Sequence, residues 1–184
     1  MKKLFLMVIA LVLLVSCSGS GSKKSFEDYM NALKTSDVKK ISEYQDKNGN
    51  DKLNVKDFED MNFVLESFKK TEYKILDVKE EKDKSVIKVK IKSPNLGEYA
   101  PAIFMDLMSL AFSGVEEKDG AKLLNDKFNE VIKSKDLKYI NEEVSVNMIK
   151  KDGKWVIDIE NAENDEFFSV LLGKIDKMGS ALSE

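Results

Sequence analysis

Between residues 73 and 92 apolar and polar positions alternate with a period of two. Leu76 and Val78 alternate with the charged Asp77 and Lys79, and Ile87, Val89 and Ile91 interleave with Lys88, Lys90 and Lys92. Successive side chains of a strand point to opposite faces, so this stretch predicts a hairpin with one wet face, turned by the polar residues 81–84. A second alternation carries Val144, Val146 and Met148, then Trp155, Ile157 and Ile159, split by Lys151-Asp152-Gly153-Lys154. Asp-Gly suits the positive φ of a tight hairpin turn.

Elsewhere the apolar period is near 3.6. Phe26, Tyr29, Met30 and Leu33 predict a helix opened by a capping box at Ser25 with Asp28. Asp37 caps a second short helix with Val38, Ile41 and Tyr44. Asn54 caps a third, whose apolar side is Phe58, Met61, Leu65 and Phe68. Pro101 suits the first turn of a helix over Ala102–Phe112, apolar at nine of eleven positions, with Gly114 to end it. Leu124, Phe128, Val131 and Ile132 mark a longer amphipathic helix. A last helix from about Asp165 presents Phe168, Leu171, Ile175 and Met178. Strands grouped as hairpins, with helices segregated from them, predict an α+β domain with helices on one face of an antiparallel sheet.

The N-terminus changes the picture. Lys2 and Lys3 precede a twelve-residue apolar run, Leu4 to Val15. A membrane-spanning helix takes about 20 residues, so the run fits the core of a secretory signal peptide. It ends in Leu14-Val15-Ser16-Cys17, which resembles the bacterial lipobox. The resemblance implies cleavage before Cys17 and attachment of diacylglycerol, and often a further acyl chain such as palmitate, to that residue. The expected organisation is a signal peptide at 1–16, a lipidated Cys17 with a flexible Gly/Ser tether over 17–25, and one domain over 26–184. The expected place is the cell envelope, anchored by lipid to the outer or cytoplasmic membrane with the domain outside the cytoplasm.

Composition removes several function classes. Cys17 is the single cysteine, so no intramolecular disulfide forms. There is no His, and all 30 basic residues are Lys. A His triad, a His metal site and a bidentate Arg clamp are therefore excluded. Net charge is −3, and an acidic chain without Arg is a poor nucleic-acid binder.

Three motifs carry the resemblance of the domain itself. FEDYMNALKTSDVKKI, YKILDVKEEKDKSVIKVKIKSPN and VSVNMIKKDGKWVIDI occur in an order similar to small secreted domains of the nuclear-transport-factor-2-like (NTF2-like), cystatin-like family. That family implies a bent, cone-like sheet wrapped around helices, dimerisation through the sheet in many relatives, and isomerase or dehydratase activity in some. Relatives with activity rely on an Asp or His with a Tyr in the cone; no such set maps onto this chain residue by residue.

Two candidate sites stand out. DKNGNDKLNVKDFE at 46–59 resembles a degenerate EF-hand loop, with Asp46, Asn48, Asn50, Lys52 (through its carbonyl), Asn54 and Asp57 at ligand positions. Asp51 stands where Gly is usual, and Asp57 is a methylene short of the bidentate Glu. Calcium, the one cofactor the sequence suggests, would bind only in the weak range of about 10⁻⁴–10⁻³ M. A polar turn before a capped helix accounts for the same residues. The second candidate is a pocket lined by Ile103, Phe104, Asp106, Leu107, Met108 and Phe112, with Asp106 as its acid or base; a helix buried all round is the plainer reading. The expected function is non-enzymatic binding of a small apolar ligand or an envelope protein. A calcium-responsive module and an isomerase- or hydrolase-type enzyme in the cone are the alternatives.

Overall fold

The computed structural model describes residues 21–46, 61–112 and 117–177. Four strands form one antiparallel sheet in chain order: β1 (Glu72–Glu80), β2 (Lys84–Pro94), β3 (Tyr139–Lys151) and β4 (Lys154–Ile157). Ile87, Val89 and Ile91 of β2 are fully buried, whereas Lys88 and Lys90 between them are exposed. Val144, Val146 and Met148 extend the dry face across β3, and Trp155 and Ile157 across β4. The α+β expectation holds, and so does the Asp-Gly turn: Asp152 and Gly153 have φ of 49° and 79°.

β1 departs from simple alternation. Ile75 pairs with Val89 and Asp77 with Lys88, so Leu76 is an extra residue, a β-bulge. Tyr73, Ile75 and Val78 pack on the core and Leu76 turns outward. The expectation that Leu76 and Val78 share a face is corrected by that bulge.

Helices cover the dry face. α1 (Gly21–Lys34) lays Phe26, Tyr29, Met30 and Leu33 into the core. α2 (Val38–Glu43) starts at Asp37, whose carboxylate accepts from Lys40 N at 3.1 Å, as the sequence predicts. α3 (Asn62–Lys69) buries Phe63, Val64 and Phe68; its expected cap Asn54 and Phe58 lie outside the described residues. α4 (Leu96–Phe112) and α5 (Glu117–Lys133) form a helical pair. In α5 Phe128 and Ile132 are buried. α6 (Asp165–Leu171) closes the core with Phe167, Phe168, Val170 and Leu171.

The last helix is shorter than its periodicity predicts. Gly173, at φ 66°, adopts the left-handed conformation that ends a helix, with Gly173 N bonded to Val170 O and Lys174 N to Ser169 O. Those two bonds make a Schellman motif. Ile175 then sits in a 3-10 turn, and Met178 lies outside the described residues.

The first helix starts earlier than expected, at Gly21, with Ser25 inside it. Its first turn holds no acid of its own. The acceptor comes from the end of β1: Ser22 N and Oγ donate to Glu80 Oε2 at 2.9 and 2.5 Å. Ser85 Oγ donates in turn to Ser22 Oγ at 2.9 Å. A carboxylate at a helix N-terminus satisfies orphan N–H groups and complements the helix dipole, so the Ser25 capping box is not needed.

β4 stops after four residues, and a side chain takes over the bonding it would have supplied. The buried Asn164 amide accepts from Asn147 N at 2.7 Å and donates to Asn147 O and Asp158 O at 2.9 and 2.7 Å. Asp158 N still donates to Asn147 O at 3.1 Å, and the Asn164 side chain completes the bonding of the β3 backbone just past the end of β4.

Candidate functional site

α4 is held firmly at its start. Gly97 N donates to Gly173 O at 2.7 Å, Tyr99 Oη donates to Asp136 O and accepts from Lys138 N, and Glu98 pairs with Lys138. Because the helix begins at Leu96, Pro101 lies inside it rather than in the first turn, with its missing N–H opposite the Gly97 carbonyl.

One side of α4 faces the protein. Ile103 is buried and Leu107 half-buried. The opposite side carries Phe104, Met105, Met108 and Phe112, exposed by 44, 71, 42 and 86 %. These positions, spaced by three and four residues, form one stripe along the helix. Pro101 and Ala102 are exposed as well. An apolar helix face left in water is unusual for a monomeric domain.

The expected pocket is therefore corrected to a surface. Of its six residues, Phe104, Asp106, Met108 and Phe112 are exposed. Asp106 accepts from Lys127 Nζ of α5 at 3.0 Å, and this contact holds the lysine above its ordinary pKa. Asp106 is thus a solvent-facing carboxylate paired with a lysine rather than a group enclosed in a pocket. The expectation of a helix buried all round fails for the same reason.

The candidate calcium loop begins in a different place. Asp46, nearly buried, pairs with Lys151, and its N–H donates to Ile157 O at 3.2 Å. A cation at Asp46 would have to displace that ammonium. Asn48, Asn50, Lys52, Asn54 and Asp57 lie outside the described residues. Among the described residues no group of three or more Cys, Asp or Glu is placed to hold a metal ion. Asp46 and Lys151 line a polar cleft of about 360 Å³ with Glu43, Gln45, Asp152 and Lys154. Beside it Trp155, Tyr44, Gly21 and Gly153 line a second cleft of about 340 Å³.

Inside the sheet's dry face aromatic rings fill the space. Phe26, Tyr29, Phe63, Phe128 and Phe167 are all fully buried. Phe26 meets Tyr73 edge-on at 5.7 Å and Phe167 at 6.0 Å. Burial drives the Tyr29 phenol far above its ordinary pKa, a rise that the Gln45 amide, donating to it at 3.3 Å, only partly offsets. That places Tyr29 in the core as a neutral packing group.

No helix among the described residues is long and apolar enough to cross a membrane. No protein-family model matches this chain, and no curated protein matches it. Among solved structures, the chain is similar to a proposed lipoprotein (ycdA) from Bacillus subtilis subsp. subtilis str. 168. The two are 14% identical with a TM-score of 0.43, over 76% of this chain and 44% of that one. The likeness thus spans less than half of the other chain, and at that score it carries no weight for function.

Proposed function

We propose that this chain is a lipid-anchored envelope lipoprotein whose domain recruits a second envelope protein through the exposed face of α4. The anchoring half rests on the sequence: Lys2 and Lys3, the apolar run, and Leu14-Val15-Ser16-Cys17. Two acyl chains at Cys17 would give a stable membrane hold. The recruiting half rests on one observation, the Phe104, Met105, Met108, Phe112 stripe.

A protein suits that stripe better than a lipid surface. α4 contains Glu98 and Asp106 and no Lys, so it lacks the cationic fringe that anionic headgroups reward. Its spacing matches an amphipathic helix laid into an apolar groove, and Met side chains adapt to such grooves. The aromatic filling of the core favours surface recruitment over a small ligand held inside. The order of helices and hairpins, with the Lys-Asp-Gly-Lys-Trp turn, supports reading the domain as NTF2-like.

Site-specific photo-crosslinking in cells tests the recruiting half. A photoreactive residue at Met105 should give a discrete crosslinked band that Phe112→Ser abolishes, while the same residue at Lys90 on the wet sheet face gives none. A band containing only a second, differently tagged copy of this chain would replace the partner by a homodimer. No band at Met105 overturns the proposal. Cys17→Ala, followed by detergent phase partition, tests the anchor: the variant should move to the aqueous phase.

A further inference from the structure

We infer that the fold stands end-on at the membrane, with the β1–β2 turn, the β3–β4 turn and the first turn of α1 against the headgroups. The inference rests on the proposed lipidation of Cys17 and adds to it an orientation.

Four peptide steps separate Cys17 from Gly21, the first residue of α1. With consecutive Cα atoms 3.8 Å apart, they reach at most about 15 Å. Cys17 itself lies outside the described residues, but the other end of that short link is fixed in the fold. Ser22 is fully buried and bonded to Glu80 and Ser85. Gly21 packs so closely on Trp155 that a Cβ there would stand 3.1 Å from the indole ring. The start of α1 is thus clamped to the ends of β1, β2 and β4, and an anchor four residues upstream cannot swing away from them.

The same contacts define which part of the domain the anchor holds down. Glu80 and Ser85 flank the β1–β2 turn, and Lys150 N donates to Asp83 O at 2.9 Å, bringing the β3–β4 turn beside it. Lys82, Lys84, Lys150 and Lys154 are exposed on these two turns. Glu81, Asp83 and Asp152 are exposed there too, while the Glu80 carboxylate is engaged by Ser22. A juxtamembrane group of lysines is attracted to anionic lipid over a Debye length, within the reach that the link allows. The opposite end of the sheet, where Pro94 meets Tyr139, is then held away by the length of β2, about 33 Å.

Energy transfer from labels on the acylated full chain to a headgroup acceptor, in vesicles containing phosphatidylglycerol, tests this. Cys17 is acylated, so a maleimide donor marks single cysteines placed by Asp152→Cys on the β3–β4 turn and Asp136→Cys at the far end. Transfer from position 152 should exceed that from 136 several-fold. Inserting twelve Gly/Ser residues between Ser20 and Gly21 should bring the two close together. Equal transfer from both positions with the native link overturns the orientation. A chain that does not sediment with the vesicles at all overturns the lipidation reading, and the orientation with it.

Discussion

Phe63 of α3 and Phe128 of α5 lie face to face, ring centroids 4.4 Å apart and planes 14° from parallel. Both rings are nearly fully buried, and Phe63 N also donates to Asn125 Oδ1 at 3.3 Å. This pair fastens α5, and through it α4, to the layer on the sheet. Phe128→Ala should cost about 3–5 kcal/mol, the usual range for removing a buried Phe. Urea unfolding measures it. A loss below about 1 kcal/mol would mean that α4 and α5 are held some other way.

Gly173 offers a second stability test. A Cβ there would meet Pro94 O at 2.3 Å and Leu96 N at 2.8 Å, and φ is 66°. The backbone conformation alone disfavours a side chain by roughly 1–2 kcal/mol, and the contact with backbone atoms cannot relax by a rotamer change. Gly173→Ala should therefore destabilise by more than about 2 kcal/mol. Gly120→Ala, whose Cβ would meet nothing within 4 Å, should be neutral or stabilising. Equal melting temperatures for the two variants would contradict the close packing of Gly173 on Pro94.

Alkaline pH should act through Tyr29. Its folded pKa is raised above the ordinary 10.0 mainly by burial. Below pH 10 the phenol is neutral in both states, and its contribution to stability is fully present. Above pH 10 the unfolded chain releases a proton that the folded chain keeps, so stability falls as pH rises, by up to about 1.4 kcal/mol per pH unit for one such group. Tyr29→Phe removes this slope while losing the Gln45 contact. Urea midpoints at pH 9, 10 and 11 should fall less steeply for the variant than for the native chain; parallel lines would refute the assignment.

Calcium should bind weakly or not at all. The first ligand of the 46–57 loop, Asp46, holds the Lys151 ammonium. Calorimetric titration should show no saturable heat below about 1 mM, the weak end of EF-hand affinities. Saturable heat that Asp46→Ala abolishes would restore the loop as a calcium site.

Much of the fold was legible because its causes are local. The β2 alternation, the Asp37 cap, the Asp152-Gly153 turn and the Phe26–Leu33 stripe each lie within a few residues. What was missed depends on distant partners. Glu80 caps α1 from 58 residues away, and no window around Ser25 contains it. The Leu76 bulge is a matter of register against β2, which apolar periodicity does not encode. For the candidate site, the apolar character of α4 was legible but the direction of its side chains was not. Apolar residues on nearly every side of a helix do not say which side meets the core, and the burial of Ile103 and Leu107 settles that only in three dimensions. Asp46 was singled out as a ligand; its pairing with Lys151, 105 residues on, was invisible in the loop itself.

The bulge at Leu76 has a consequence for life at high density. With the proposed lipid anchor, copies would share a two-dimensional surface, where neighbours meet far more often than in bulk. Among the described residues β1 is an edge of the sheet with no strand on its outer side, and an unpaired edge is a template on which another chain can add a strand. The extra residue breaks the hydrogen-bonding rhythm midway along it, and Lys74, Asp77 and Lys79 place charges on both sides of the break. In a crowded population the bulge and these charges would oppose edge-to-edge pairing, and contact between molecules would be left to side chains rather than to backbone.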